Sequence, residues 1–179
     1  MYDINSTLLN YLNRCFVVMQ MCIDNKTQLD FLTSAKQKIN NNKMKIFEPT
    51  ELQIFDNIAW VKDTKLAKEF QEICYLLGFK KISNKLEFQN QYYFPMEKLY
   101  DDLGFKFGFM YLAENTQHPN YTIDKNELYF IISGTANWYY NNQNHDNVSA
   151  GNIIFNPINI EQGVKSGYTP LLCLYFNWS

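Results

Sequence analysis

The stretch NELYFIISGTANWYY, from Asn126 to Tyr140, decides how the rest of the chain is interpreted. Its apolar residues alternate, stop at Gly134 and alternate again, which predicts two antiparallel strands joined by a tight turn. Alternate side chains of a strand point to opposite faces, and one face of the first strand carries Glu127, Tyr129, Ile131 and Ser133. The other face is apolar. Because an unpaired carboxylate is costly to bury, Glu127 indicates that the inner face of this strand lines a pocket.

Short β-rich runs continue this pattern through the C-terminal half of the chain. Five strands are predicted, at residues 105–113, 127–132, 136–140, 152–155 and 171–178. Turn-forming residues separate them, notably the tract 141–147, which includes His145, and the pair Ser166-Gly167. Several short antiparallel strands at such spacing predict a jelly-roll barrel, which can enclose a ligand cavity.

The N-terminal half is predicted to be helical. Apolar residues recur at spacings of three and four in four segments, 8–23, 28–39, 49–60 and 64–78, and a short helix is expected within 96–103. We therefore predict an α+β, mainly β fold with two parts. Residues 1–100 form a helical segment that packs on the barrel, and residues 101–179 form the β-barrel. The helices are expected to cover an open sheet edge and are candidates for a homodimer contact.

Composition excludes several classes of function. The 179 residues carry a net charge of −2 and a single arginine, Arg14, so nucleic-acid binding is not expected. The apolar runs are too short to span a membrane, and no signal peptide is evident. Four scattered cysteines without a Cys-x-x-Cys pair fit a reducing compartment. We expect a cytoplasmic bacterial protein.

The C-terminal half also resembles a known family. Its matching elements are Gly108-FMYLAENTQ, His118-Pro119, Glu127-x-Tyr129, Gly134-TAN-Trp138, Gly151-NIIF, Asn156-Pro157, Gln162 and Pro170-LLCLYFNW. In this order and spacing they resemble the cupin superfamily and, within it, the cupin-type dimethylsulfoniopropionate (DMSP) lyases. The resemblance implies a cupin barrel, that is, a double-stranded β-helix or jelly roll, preceded by a helical segment.

The metal site that the resemblance implies is altered in this chain. Cupin lyases hold a metal ion with three histidines and one glutamate. Counting along the motifs places Tyr121, Ile123 and Gln162 where histidines are expected, and only Glu127 matches. Zn²⁺ and Fe²⁺ take imidazole or carboxylate ligands, and isoleucine cannot coordinate a metal. If a metal binds, Glu127 and His118 are its candidate ligands, with Asp124 as a third.

Seven residues are predicted to line the ligand-binding pocket: Glu127, Tyr129, Tyr121, Asn156, Gln162, His118 and Trp138. Glu127 either binds a ligand or metal or is a structural carboxylate that accepts hydrogen bonds within the barrel. Tyr129 matches the tyrosine that the lyases are thought to use as catalytic base. A phenol with a pKa of about 10 needs a nearby cation to act as a base near neutrality, so Tyr129 without a metal becomes a residue that lines the pocket.

Three functions are compatible with these residues. The first is a degenerate cupin, a pseudoenzyme without a metal cofactor that binds a small polar or charged organic ligand or acts as an interaction module. The second is a metal-dependent lyase that releases dimethyl sulfide and acrylate, with a rebuilt site for Zn, Fe or Mn. The third is a structural role, with a solid barrel and helices that bind a partner. Metal content and a polar cavity distinguish the three.

Overall fold

A computed structural model describes residues 4–45, 64–74, 80–81, 90–141 and 143–179. Within these residues there are three α-helices, a 3-10 helix at Met96–Leu99 and ten strands. The helices are α1 (Ile4–Cys22), α2 (Lys26–Asn41) and α3 (Lys65–Cys74). The strands are β1 (Lys80–Lys81), β2 (Gln91–Pro95), β3 (Lys106–Leu112), β4 (Gln117–Thr122), β5 (Asn126–Ser133), β6 (Thr135–Tyr140), β7 (Gln143–Ser149), β8 (Ile153–Asn156), β9 (Glu161–Ser166) and β10 (Leu171–Trp178).

The strands form two antiparallel sheets that face each other. One sheet has six strands in the order β1-β2-β3-β10-β5-β8, and the other has four in the order β4-β9-β6-β7. The predicted α+β, mainly β jelly roll is therefore confirmed. β1 and β2 lie before residue 101 and pair within the six-stranded sheet, so strand pairing begins inside the segment that was predicted to be helical.

The six-stranded sheet separates two hydrophobic cores. Leu128, Phe130 and Ile132 of β5 belong to a core that includes buried side chains of all three helices. Tyr129 and Ile131 belong to a second core between the two sheets. The predicted division of β5 into two faces is therefore confirmed, and the face that carries Tyr129 and Ile131 is turned toward the barrel interior.

The predicted hairpin at Gly134 was wrong in its pairing. β5 pairs with β8 and β10, whereas β6 pairs with β7 and β9, so the chain passes from one sheet to the other at this glycine. Gly134 has a φ of +86°, and a Cβ atom there would lie 1.9 Å from the carbonyl oxygen of Pro170. The glycine therefore makes a corner between sheets, which has the same local signature as a hairpin turn.

Four strands were not predicted, the two-residue β1 among them, and a fifth was predicted as a turn. β2, β4 and β9 have no long apolar run, and most of β7 falls in the Asn-rich tract 141–147. β4 and β7 are the edges of the four-stranded sheet, where polar residues and proline are tolerated. The helix predicted at 49–60 lies outside the described residues. The helix predicted from Thr64 is α3, and Thr64 Oγ1 accepts a hydrogen bond from the amide of Ala67 at 3.0 Å.

Within the described part of the chain, none of the helices has the length and apolar character needed to span a bilayer.

Candidate functional site

Glu127 lies in the barrel interior near the start of β5. Only 2% of its surface is exposed, although it is the type of residue that is rarely buried without a partner. Its Oε2 accepts hydrogen bonds from the Tyr121 hydroxyl at 2.9 Å and from the Gln162 side-chain amide. Both donors belong to the four-stranded sheet, where Tyr121 of β4 is directly opposite Gln162 of β9. The carboxylate is therefore held by hydrogen bonds from the opposing sheet.

Further hydrogen bonds connect the two donors of this carboxylate to each other and to neighbouring side chains. The Tyr129 hydroxyl lies 2.9 Å from the Tyr121 hydroxyl, and the Gln162 amide also donates to Tyr121 at 3.2 Å. The indole Nε1 of Trp138 lies 3.4 Å from Gln162 Oε1, to which it donates. Because Tyr121 has one proton and gives it to Glu127, Tyr129 is the donor in the pair of phenols. We call Tyr121, Glu127, Tyr129, Trp138 and Gln162 the interior polar cluster.

Burial controls the protonation of these groups. Burial raises the pKa of Glu127 above its ordinary value, while the hydrogen bonds from Tyr121 and Gln162 lower it in part. Burial, together with the nearby Glu127 carboxylate, raises the pKa values of Tyr121 and Tyr129 well above 10. Both phenols therefore keep their protons near neutral pH and act as hydrogen-bond donors.

Aromatic side chains surround the interior polar cluster. The ring of Tyr129 lies 4.9 Å from that of Trp138 and 6.4 Å from that of Tyr175. Tyr175 in turn lies 5.6 Å from Tyr93, whose hydroxyl contacts the sulfur of Met110 at 3.0 Å. Tyr93 and Tyr175 were not predicted as site residues. The alternation of β10 places Tyr175 on the same face as Cys173, but its pairing with Tyr129 depends on a register that sequence alone does not give.

The other predicted site residues lie around the cluster. Asn156 of β8 is directly opposite Glu127, is completely buried, and has no hydrogen-bond partner for its side-chain nitrogen or oxygen. The ring of His118 packs on that of Tyr121 at 5.1 Å, and its Nδ1 lies 3.0 Å from the carbonyl oxygen of Pro119. Burial lowers the pKa of His118, so it is neutral near pH 7. Asp124 is exposed in the bend between β4 and β5.

These side chains do not fit a transition-metal site. Around Glu127 they supply one carboxylate, two protonated phenols and one carboxamide, whereas Zn²⁺ and Fe²⁺ in proteins take imidazole, thiolate and carboxylate ligands. The hydrogen bonds from Tyr121 and Gln162 occupy Glu127 Oε2, the atom that would face the opposing sheet. No three His, Cys, Asp or Glu side chains group together as a metal site among the described residues.

Two facing antiparallel sheets with a polar site in the barrel interior are the architecture expected of a cupin. The family model for DMSP lyases matches residues 58–173, and the chain belongs to this family. The predicted resemblance is therefore confirmed at the level of the family.

Solved structures agree on the fold. The DMSP lyase DddQ from Ruegeria pomeroyi DSS-3 superimposes with a TM-score of 0.63 over 78% of each chain, at 10% sequence identity. A structure described as the DMSP lyases RdDddP and RnDddQII gives a TM-score of 0.57 at 15% identity. That match covers 64% of this chain and 63% of the other, so the chain matches slightly less than two thirds of that relative's length. No curated protein matches the chain.

Proposed function

We propose that this protein is a metal-free cupin that binds a small polar or charged organic ligand at the interior polar cluster, without lyase chemistry. The observation that supports it is the pairing of Glu127 Oε2 with Tyr121 and Gln162. In a metal-dependent cupin this carboxylate would coordinate the ion. Here two side chains from the opposing sheet donate to it, and neither is a good ligand for a transition metal.

Ligand binding is favoured over a purely structural role by the chemistry of the barrel interior. A solid core is most stable when it is apolar, because every buried polar group loses hydration that a hydrogen bond must replace. Asn156 is fully buried without such a bond, next to a carboxylate whose pKa is raised by burial. Polar groups that are costly to bury and incompletely paired are typical of sites at which a ligand completes the hydrogen bonding.

Metal content is the first test of this proposal. Protein purified without a metal-affinity step is expected to contain no stoichiometric Zn, Fe or Mn by elemental analysis. A combined variant, Tyr121→His, Ile123→His and Gln162→His, would place three imidazoles beside Glu127 and is expected to gain about one Zn²⁺ per chain. One transition metal per wild-type chain would refute the proposal and favour the lyase with a rebuilt site.

Ligand binding and turnover are the second test. Small organic acids and ammonium and sulfonium compounds would be screened by the shift in Tm. A compound that raises the Tm of the wild type should lose its effect in Glu127→Gln and keep it in Tyr168→Phe, a matched control because Tyr168 is 89% exposed. Incubation with DMSP is expected to release no dimethyl sulfide. Release that disappears in Glu127→Ala would establish the lyase alternative, in which Tyr129 is the base.

A further inference from the structure

A row of three polar side chains crosses the six-stranded sheet in the barrel interior. Glu127 of β5 is directly opposite Asn156 of β8 on one side and Asn177 of β10 on the other. Residues directly opposite each other in an antiparallel sheet project from the same face. All three side chains therefore project from the face that carries Tyr129, and we call them the Asn-Glu-Asn row.

Three side-chain atoms of the two asparagines in this row lack hydrogen-bond partners. The Nδ2 and Oδ1 atoms of Asn156 and the Oδ1 atom of Asn177 are buried and unpaired. Asn156 has no exposed surface at all, so bulk water cannot replace the missing bonds. If the side-chain amide of Asn156 is turned so that its nitrogen and oxygen exchange places, it still requires one hydrogen-bond donor and one acceptor from its surroundings. Buried amide groups are almost always paired in native proteins, so three unpaired atoms beside one carboxylate indicate a ligand that pairs them.

The unpaired atoms restrict the chemistry of that ligand. Asn156 Oδ1 and Asn177 Oδ1 each require a donor, and Asn156 Nδ2 requires an acceptor. A sulfonium or quaternary ammonium group neither donates nor accepts a hydrogen bond, and an ionised carboxylate only accepts. A zwitterion made of those two groups would therefore leave both Oδ1 atoms unpaired. A hydroxyl group both donates and accepts, which is what the row requires.

The width of the row and its neighbours restrict the ligand further. Adjacent strands lie about 4.8 Å apart, so the two asparagines are separated by about 10 Å across Glu127. One hydroxyl group cannot reach both, whereas a chain or ring with several hydroxyls can. The next residues inward on β5 and β10 are Tyr129 and Tyr175, which are also opposite each other and present aromatic rings to the C–H groups of such a ligand.

We propose that the Asn-Glu-Asn row binds a polyhydroxylated ligand, a polyol or a monosaccharide. Its hydroxyls donate to Asn156 Oδ1, Asn177 Oδ1 and Glu127, and one accepts from Asn156 Nδ2. The inference rests on the proposed function, because it names the ligand of the same interior site. The inference goes beyond the proposed function because it requires a ligand that donates hydrogen bonds.

The test compares ligands with and without hydrogen-bond donors. Erythritol, myo-inositol, D-ribose and D-glucose would be screened by Tm shift and titration calorimetry against DMSP and glycine betaine, which have no donors. At least one of the hydroxylated probes is expected to bind. Asn156→Leu and Asn177→Leu should each weaken that binding at least about tenfold, because each removes hydrogen bonds made only with the ligand.

The ligand-free Tm gives a readout that does not depend on finding the ligand. Asn156→Leu replaces an unpaired buried amide by an apolar group of similar size, so its Tm is expected to rise by about 2 to 8 °C. The matched control Asn147→Leu, at an exposed position of β7, should leave both the Tm and the binding unchanged. A lower Tm for Asn156→Leu, or failure to fold, would mean that the amide is paired in the free protein by a bound water, and would overturn the inference.

The remaining outcomes separate this inference from the proposed function. Binding of donor-free acids or onium compounds but of no hydroxylated probe, with dependence on Glu127, would overturn the inference and leave the proposed function standing. A barrel that binds no compound of either set would overturn both. Binding of a hydroxylated probe that Asn156→Leu and Asn177→Leu leave unchanged would place the ligand elsewhere and overturn the inference alone.

Discussion

Replacing Tyr121 with phenylalanine removes the hydroxyl group that connects the two sheets at Glu127. That hydroxyl donates to the carboxylate at 2.9 Å and lies 2.9 Å from the Tyr129 hydroxyl and 3.2 Å from the Gln162 amide. A bond to a charged group contributes about 1.5–3 kcal/mol, and a neutral bond about 0.5–1.5 kcal/mol. Because Gln162 keeps its bond to Glu127, we expect Tyr121→Phe to lower the free energy of unfolding by about 3 kcal/mol. For a chain of this length that corresponds to a decrease in Tm of about 6 to 12 °C.

The matched control is Tyr100→Phe, the same chemical change at a different buried tyrosine. Tyr100 is 2% exposed, and its hydroxyl is buried without a hydrogen-bond partner. Burial raises the pKa of that hydroxyl to about 12. Removing it should change the free energy of unfolding by less than about 1 kcal/mol, toward greater stability. Urea unfolding of both variants, followed by circular dichroism, measures the difference. Equal losses in the two variants, or no loss in Tyr121→Phe, would refute the hydrogen-bond network around Glu127.

Three further predictions concern the pH dependence of stability and two glycines with positive φ. Burial raises the pKa of Glu127 in the folded protein above 4.5. Between pH 4.5 and that raised pKa, the native state binds more protons than the unfolded state, so the free energy of unfolding falls as the pH rises. Glu127→Gln should therefore gain stability relative to the wild type over the same interval, and a pH-independent difference in urea midpoints would contradict the raised pKa. Burial lowers the pKa of His118 in the folded state below 6.5, so neutral His118 contributes its full share of the free energy of unfolding above pH 6.5. That share is lost as the pH falls through the pKa of the folded state. His118→Gln should abolish this loss, and a variant with the same pH dependence of stability as the wild type would contradict the lowered pKa. Gly134→Ala should lower the free energy of unfolding by about 4 kcal/mol or more, because its Cβ atom would meet a carbonyl oxygen at 1.9 Å. Gly151 has a φ of +93° and no atom within 4 Å of the position of a Cβ atom, so Gly151→Ala should lower it by only about 1–2 kcal/mol. Similar Tm values for the two variants would refute the predicted clash at Gly134.

The fold could be predicted from sequence where alternation and length agreed. β5 and β10 have long apolar runs, so their positions and faces were predictable, and Glu127 and Tyr129 were placed on the interior face correctly. β9 contains Gln162 but alternates weakly, with Val164 as its one large apolar residue. Its strand conformation comes from pairing with β4 and β6, which is a tertiary effect that local sequence does not carry.

The candidate site was predictable in its membership but not in its geometry. Spacing relative to the cupin motifs selected Tyr121, Gln162 and Asn156, and two of these contact Glu127 directly. Asn177 and Tyr175 were missed because their proximity to β5 depends on the register between β5 and β10, which lie about forty-five positions apart in the chain. Register of this kind is set by the burial of whole strand faces and cannot be read from either strand alone.

The two cores on either side of the six-stranded sheet also affect how this site can change during evolution. Selection for a stable fold acts strongly on the residues of β5 and β10 that pack against the helices. The residues between them project into the barrel, where they belong to a second core that contains no helix residue among those described. Replacing one interior side chain therefore changes the chemistry of the site without removing a contact between β5 and the helices. On β5, the side chains that pack against the helices alternate with those that face the site, so the fold and the chemistry of the barrel can change separately along this strand.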